Sequence, residues 1–447
     1  MLPPTRSYEE TCRTFRWRIP EFVNMAVEAI DRQASGGAEG HRTALIAESE
    51  MGVAARYTFI DLQRYSNRLA HLLTDAGIVP GERVAIIMGP SGESAVALLA
   101  ALKVGAIAVP LSPRLEPLAL LDRFQRLEVA AALGERSLAP LLATARATLP
   151  SLRLAMAAHS SAENVAEMWT ALIPASNDFD PVQTRADEPA LLLHHAGENR
   201  ATLYAHRTLH TRLPGLEFAH RGFPHVGDVM WTAADWASEG GWLDCVLPAW
   251  WHGVAVVASP ARADNLPGLL ARWGVRNIHL PAHRLEALRE TIGSGLPPLR
   301  SLVVTGETSL DDDAWLRDHC ASAVVRALGN AALGLLVAPS PLFDCPPLAL
   351  GRPVPGYTID VVDPRGRILP ADVVGDIALH LDSPNLPLGT LDGDPLPHLG
   401  RWMPVGQKAR KDLDGTFWPD PPRMLPPVPV AEKPFKLRAL DPEERWR

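Results

Sequence analysis

Apolar positions first fall into a helical rhythm at residues 62–76, where Leu62, Tyr65, Leu69, Leu72, Leu73 and Ala76 share one face. Thr58 and Asp61, three residues apart just ahead of it, have capping-box spacing, and Gly77 supplies a C-terminal stop. A continuous apolar run at Val84 to Met88 predicts a buried strand. A second helix follows at Glu93 to Val104, then a short strand at Ala106 to Val109 that Pro110 ends. Further apolar runs stand at Ala190 to Leu193, Val229 to Thr232, Val254 to Ala258, Asn277 to Leu280, Leu302 to Val304 and Ala323 to Ala327, most separated by helix-length segments. That alternation predicts a layered α/β protein with a largely parallel sheet. Beyond Gly351 the pattern shortens to alternating stretches, Tyr357 to Val362 and Asp376 to His380, around the turn Asp363-Pro364-Arg365-Gly366, which predicts a small β subdomain.

Composition narrows the class. Hydrophobic residues make up 47% and charged residues 21% of 447, a balance that favours a folded core over disorder. Forty-three Lys and Arg stand against 51 Asp and Glu, so the net charge of -8 gives no global attraction to nucleic acid or anionic lipid. Cys12, Cys245, Cys320 and Cys345 form no Cys-x-x-Cys pair, which points away from a zinc site or a disulfide framework and toward a reducing cytoplasm. Met1 to Arg18 lacks the apolar centre of a secretory signal, and the longest apolar stretch, Ala95 to Val109, is broken by Lys103 and Gly105 and is too short to span a bilayer. Prolines gather after Trp418, where an extended tail is expected.

Several segments carry a specific resemblance. They are Tyr57-Thr58-Phe59-Ile60-Asp61-Leu62, Ser66 to Ala70, Gly77 to Ile86, Leu203 to Arg207, Gly227 to Trp236, Leu247 to Gly253, Thr305-Gly306-Glu307 and Gly351 to Gly356. In this order they resemble the adenylate-forming acyl-CoA synthetase family, the AMP-dependent synthetases and ligases, over roughly residues 20–418. The resemblance implies the family's N-terminal domain, with layered parallel sheets, flanking helices and a small β subdomain. The expected division is a first α/β subdomain at 1–180, a second at 181–350, the β subdomain at 351–418 and a Pro-rich tail at 419–447 in place of the C-terminal domain. It also implies a reaction in which a carboxylic acid and ATP with Mg²⁺ form an acyl-adenylate, whose acyl group passes to CoA.

The motifs that would carry that reaction depart from the family pattern. A hydroxyl- and glycine-rich loop, Ser-Gly-Thr-Thr-Gly-x-Pro-Lys-Gly, holds the triphosphate in the family through backbone amides and a lysine. Here the segment reads Leu193-His194-His195-Ala196-Gly197-Glu198-Asn199-Arg200-Ala201, so Gly197 remains, Arg200 takes the lysine position and Glu198 adds a repelling charge. The family's Tyr-Gly-x-Thr-Glu supplies an aromatic for adenine, a hydroxyl for phosphate and a carboxylate for magnesium. Leu328-Gly329-Asn330-Ala331-Ala332 supplies none of the three. The family's Thr-Gly-Asp aspartate, which binds the ribose, is replaced by Gln407 in Val405-Gly406-Gln407. The mobile C-terminal domain that brings a catalytic lysine is expected to be missing.

These departures favour a non-catalytic protein, a pseudoenzyme with a binding or regulatory role. Its vestigial nucleotide site comprises Gly197, Arg200, Gly306, Glu307, Gly329, Asn330 and Gln407, with no catalytic residue, metal or cofactor expected. An acyl or nucleotide-like small ligand, or a partner synthetase chain, is the expected contact. The alternative is an AMP-forming carboxylic acid ligase of weak or partner-completed activity, which would need ATP and Mg²⁺. Other clusters read as structure. His206 and His210 share a helix face but have no acidic or cysteine partner at ligand spacing. Asp311-Asp312-Asp313 after Ser309 has the form of an acidic helix N-terminus, and Trp231, Trp236, Trp242, Trp250 and Trp251 are expected in the core rather than around an acyl pocket. Thr305-Gly306-Glu307 fits either a nucleotide contact or an ordinary strand-end turn.

Overall fold

The computed structural model describes residues 1–48, 53–194, 200–259, 266–291, 296–320, 324–346, 349–391 and 396–420. The helix predicted after Thr58 spans Phe59–Asp75, and its N-terminus is fixed by a reciprocal pair of bonds: the Asp61 amide donates to Thr58 Oγ1 at 3.1 Å and the Thr58 amide to Asp61 Oδ2 at 2.9 Å. Phe59, Leu62, Ser66, Leu69, Ala70 and Leu73 form its buried face. Gly77, at φ +75°, turns the chain out of the last turn. The next helix, Gly92–Lys103, is buried along almost its whole length, because it lies between two sheets and touches strands of both. An element apolar on all sides is stable only in such a position.

One sheet has eight strands in the order Gly389–Thr390, Ala201–Ala205, Pro189–His194, Ile107–Pro110, Arg83–Ile87, Ala131–Gly134, Leu154–Ala157, Ala166–Glu167. The other has nine, in the order Arg352–Pro353, Gly334–Ala338, Val324–Asn330, Ser301–Thr305, Asn277–Pro281, Val229–Thr232, Ala255–Ala258, Thr43–Glu48, Ala54–Thr58. Both are parallel through their centres; the nine-stranded sheet is antiparallel at both margins, and the eight-stranded one only at the margin formed by Gly389–Thr390 and Ala201–Ala205. A four-stranded antiparallel sheet, Ile359–Val362, Gly375–His380, Trp402–Lys411 and Phe417–Pro419, completes the fold. The α/β architecture with a small β subdomain therefore stands.

Strand pairing crosses the expected division at 180/181. Thr43–Glu48 and Ala54–Thr58 join the sheet built mainly from residues beyond 228, while Pro189–His194 and Ala201–Ala205 close the earlier one. The region 351–418 also lends Arg352–Pro353 and Gly389–Thr390 to the two larger sheets. These exchanges leave one shared core, in which Ala44, Leu45 and Val256 of one sheet pack in the same cluster as Val84, Ile86 and Leu191 of the other. Trp236, Trp242 and Trp250 belong to that cluster and Trp231 to a second, all four fully buried. Ser309 caps the acidic helix N-terminus: its Oγ accepts the Asp312 amide at 3.0 Å and donates to Asp312 Oδ2 at 2.8 Å. The tail expected at 419–447 lies outside the described residues beyond Asp420.

Three buried histidines tie this core to pH. His206 Nδ1 accepts the Met25 amide at 3.2 Å, and burial pushes its pKa down to about 3. Burial also lowers His220, with His279 and Arg300 adding, and lowers His279 against a partial pull from Asp244. His206 stays neutral in the folded chain until the pH nears about 3, and burial disfavours the protonated form of the other two, while each takes up a proton in the unfolded chain below about pH 6.5. Their contribution is therefore fully present above that pH and is lost as the pH falls below it, by about 1.4 kcal/mol per pH unit for His206. Urea unfolding between pH 7 and 5 should show this falling stability. His206→Asn, which keeps an acceptor for Met25, should reduce the slope by about one proton; an unchanged slope would contradict the assignment.

Candidate nucleotide site

The parallel strands Ser301–Thr305 and Val324–Asn330 lie side by side, and Gly306, Glu307, Gly329 and Asn330 stand at or just beyond their C-terminal ends. Gly306, at φ +96°, makes the turn out of the first strand and leaves Glu307 exposed. Gly329 sits so close to the returning strand that a Cβ there would overlap the Gly334 carbonyl oxygen. Asn330 Nδ2 donates to the Val405 carbonyl at 3.1 Å, which brings the strand Trp402–Lys411, with half-buried Gln407, against the same strand ends. The structure thus gathers Gly306, Glu307, Gly329, Asn330 and Gln407 in one region. Such crevices at strand C-termini are where open α/β sheets bind ligands.

Arg200 comes from the other sheet. His194 pairs with Ala201, so Arg200 stands exposed at the mouth of that hairpin, and Gly197 lies outside the described residues. Tyr204, four residues on and about 13 Å further along the strand, places its hydroxyl 3.5 Å from the Ala331 carbonyl oxygen and donates to Glu239 Oε1 at 3.1 Å.

A buried cation that no family motif marks lies beneath the Ala331–Ala332 turn. Arg212, on the buried helix Thr208–Ala219, donates through Nη2 to the carbonyls of Ala331 at 3.1 Å and Ala332 at 2.9 Å, and through Nη1 to Asp244 Oδ1 at 2.7 Å. Its guanidinium also lies 5.8 Å from the centre of the Tyr204 ring. Burial alone would lower the Arg212 pKa, but the Asp244 carboxylate turns the net direction upward, with Tyr204, Tyr357 and Glu239 adding. Gly334 completes the fit, since at φ +81° it leaves room for the guanidinium that any Cβ would take. One signal was present in the sequence: a single arginine inside a stretch that packs on all sides.

The donor set around this turn does not suit a magnesium ion. Both carbonyl oxygens already accept from a cation, the two side chains are methyl groups, and Asn330 Oδ1 accepts the Leu333 amide at 2.8 Å. Among the described residues no group of three or more His, Cys, Asp or Glu could hold a metal. His206 and His210 serve packing: the first accepts from Met25, and the second faces Glu28 at 3.6 Å. No helix among the described residues is long and apolar enough to cross a membrane.

Comparison with known proteins agrees with this architecture. The mouse mitochondrial acyl-coenzyme A synthetase ACSM3 is 24% identical over 442 residues, covering 92% of this chain and 74% of that protein. The acetyl-coenzyme A synthetase of Bacillus subtilis is 25% identical over 463 residues, covering 92% and 76%. A crystal structure of Brucella canis acyl-CoA synthetase superposes with a TM-score of 0.83 at 22% identity, over 93% of this chain and 79% of that one. The family pattern described as AMP-binding enzyme matches residues 31–386, most of the length that carries the two large sheets. The chain belongs to the AMP-binding enzyme family.

Proposed function

We propose that this chain is a non-catalytic member of the family, a binding or regulatory protein on an acyl-CoA synthetase scaffold. The observation that carries the reading is the Ala331–Ala332 turn, whose carbonyls are engaged by Arg212 and whose side chains offer no oxygen. Adenylation needs preorganised groups that offset charge developing on phosphate. Their loss at this turn coincides with the loss of hydroxyls from 193–201 and of the acid at Gln407. Adding a single group would not rebuild the site, because positioning depends on the whole constellation. An acyl or nucleotide-like ligand, or a partner synthetase chain, is the contact this reading favours. A reducing cytoplasm suits the four free cysteines.

A second reading, a ligase of weak or partner-completed activity using ATP and Mg²⁺, draws on a different observation. Gly306, Glu307, Asn330 and Gln407 still meet at the strand ends, and Arg200 keeps a cation at the hairpin mouth.

Exchange of labelled pyrophosphate into ATP separates the two. The purified chain, offered short and medium carboxylic acids, should show no carboxylate-dependent exchange above a heat-treated control; a clear excess would establish the ligase.

Repair of the site provides a further test. Ala331→Thr, Ala332→Glu and Gln407→Asp together, with the family loop in place of 193–201, return the ligands and hydrogen-bond acceptors for Mg²⁺-ATP. The repaired chain should gain about 2 °C or more in Tm on adding Mg²⁺-ATP, and the native chain should gain nothing, since only a ligand of the folded state shifts unfolding. An equal rise in the native chain would mean that the site was never lost.

A further inference from the structure

On the flank of the helix that carries Arg212, residues 2–17 cross the molecule as a strap held from one side. Its helix Tyr8–Thr14 is only seven residues long, too short to persist without packing. Leu2, Tyr8 and Trp17 pack on the core beneath and Phe15 is buried, whereas Arg6, Cys12, Arg13, Thr14, Arg16 and Arg18 lie in solvent. Among the described residues Arg18, Ile19 and Pro20 make no hydrogen bond to the rest of the chain. From Glu21 onward the chain is secured separately: the Ala186 amide donates to the Glu21 carbonyl at 2.8 Å and the Val23 amide to the Thr184 carbonyl at 2.9 Å.

The inner face of the strap is anchored along its length. The Leu2 amide donates to Glu217 Oε2 at 2.5 Å. At the middle, the Tyr8 hydroxyl donates to the Pro353 carbonyl at 2.9 Å, and the Tyr8 ring meets Phe343 at 5.4 Å and Phe218 at 6.1 Å. The Arg352 guanidinium lies over Tyr8 at 5.3 Å and over Phe343 at 4.9 Å, and donates to Glu9 Oε1 at 2.8 Å. At the far end Trp17 stacks on Tyr357 at 5.6 Å and donates through Nε1 to the Gly356 carbonyl at 3.1 Å. Gly356, at φ +97°, leaves the space that the Phe15 ring occupies.

These anchors converge on the helix Thr208–Ala219. Glu217 and Phe218 belong to it, and Tyr357 donates its buried hydroxyl to the carbonyl of Thr211, next to Arg212. We propose that residues 2–17 are a releasable strap, which when docked holds this helix, and with it Arg212, against the entrance to the β subdomain at 353–357. Release turns about the unbonded residues 18–20 and uncovers Glu217, Phe218 and the face of Tyr357 together. A short element held from one side opens at a free-energy cost below that of global unfolding. The coupling to the helix runs through Trp17 on Tyr357 and Tyr8 on Phe218, so removing both rings separates strap from helix. The strap acts on the scaffold, whether or not the crevice binds or adenylates a ligand.

Hydrogen exchange of the full chain at neutral pH, read by mass spectrometry of its peptides, tests the proposal. In the native chain the strap segment 8–15 should exchange at least about a hundredfold faster than Val84 to Ile86 in the eight-stranded sheet. With Tyr8→Ala and Trp17→Ala combined, the strap should lose its protection and the helix Thr208–Ala219 should exchange about tenfold faster, with Val84 to Ile86 unchanged. Trp17→Phe, which keeps a ring on Tyr357 but has no donor for Gly356, should fall between the native chain and the double variant. A strap that exchanges as slowly as Val84 to Ile86, a helix that keeps its native rate once the strap is loose, or an acceleration shared equally by Val84 to Ile86 would each overturn the proposal.

Discussion

The site depends on one buried cation. Arg212 sits in a helix of which every residue is buried, and its charge must be offset inside the protein. Removing an ion from water costs several kcal/mol even after relaxation, so the guanidinium is tolerable only with close partners. It finds them in three places: the Asp244 carboxylate, the two carbonyls of the Ala331–Ala332 turn, and the face of Tyr204. These lie on three separate pieces of chain. The strand carrying Tyr204 belongs to the eight-stranded sheet, and the turn joins two strands of the nine-stranded one. The Arg212 side chain therefore fixes how the sheets meet at the crevice, and Gly334 persists without a side chain because the guanidinium needs the space.

The same arrangement separates scaffold from chemistry. Arg212 takes up the carbonyl oxygens of the turn that in the family's motif carries a hydroxyl and a carboxylate, and the alanines add nothing in their place. A cation is thus built permanently into the floor of a region where the family brings one in with its nucleotide. The glycines at 306 and 329 survive because the backbone path demands them, whatever the ligand.

Much of the fold was legible because local signals agreed with tertiary ones. Thr58, Asp61 and Gly77 marked both ends of a helix whose apolar face was complete, and the runs at 229–232 and 277–280 became central strands with little change of boundary. Where the chain pairs was not legible. Thr43–Glu48 and Ala54–Thr58 precede all the strands of the sheet they join, and no local pattern distinguishes that sheet from its neighbour. The motif positions 306, 307, 329, 330 and 407 could be placed together from the resemblance, and they do meet. Arg212, Asp244 and Glu239 could not, because a buried polar residue in an apolar segment shows that a partner exists without showing which one.

A double-mutant cycle on Arg212 and Asp244, read by chemical unfolding at neutral pH, tests the central claim most directly. Arg212→Met and Asp244→Leu should each destabilise the chain by about 3–5 kcal/mol, since each strands the other charge in the core. The double variant should then cost less than the sum of the two by about 2 kcal/mol or more. Additive effects, or single substitutions that each cost less than about 1 kcal/mol, would show that the fold does not depend on this pair.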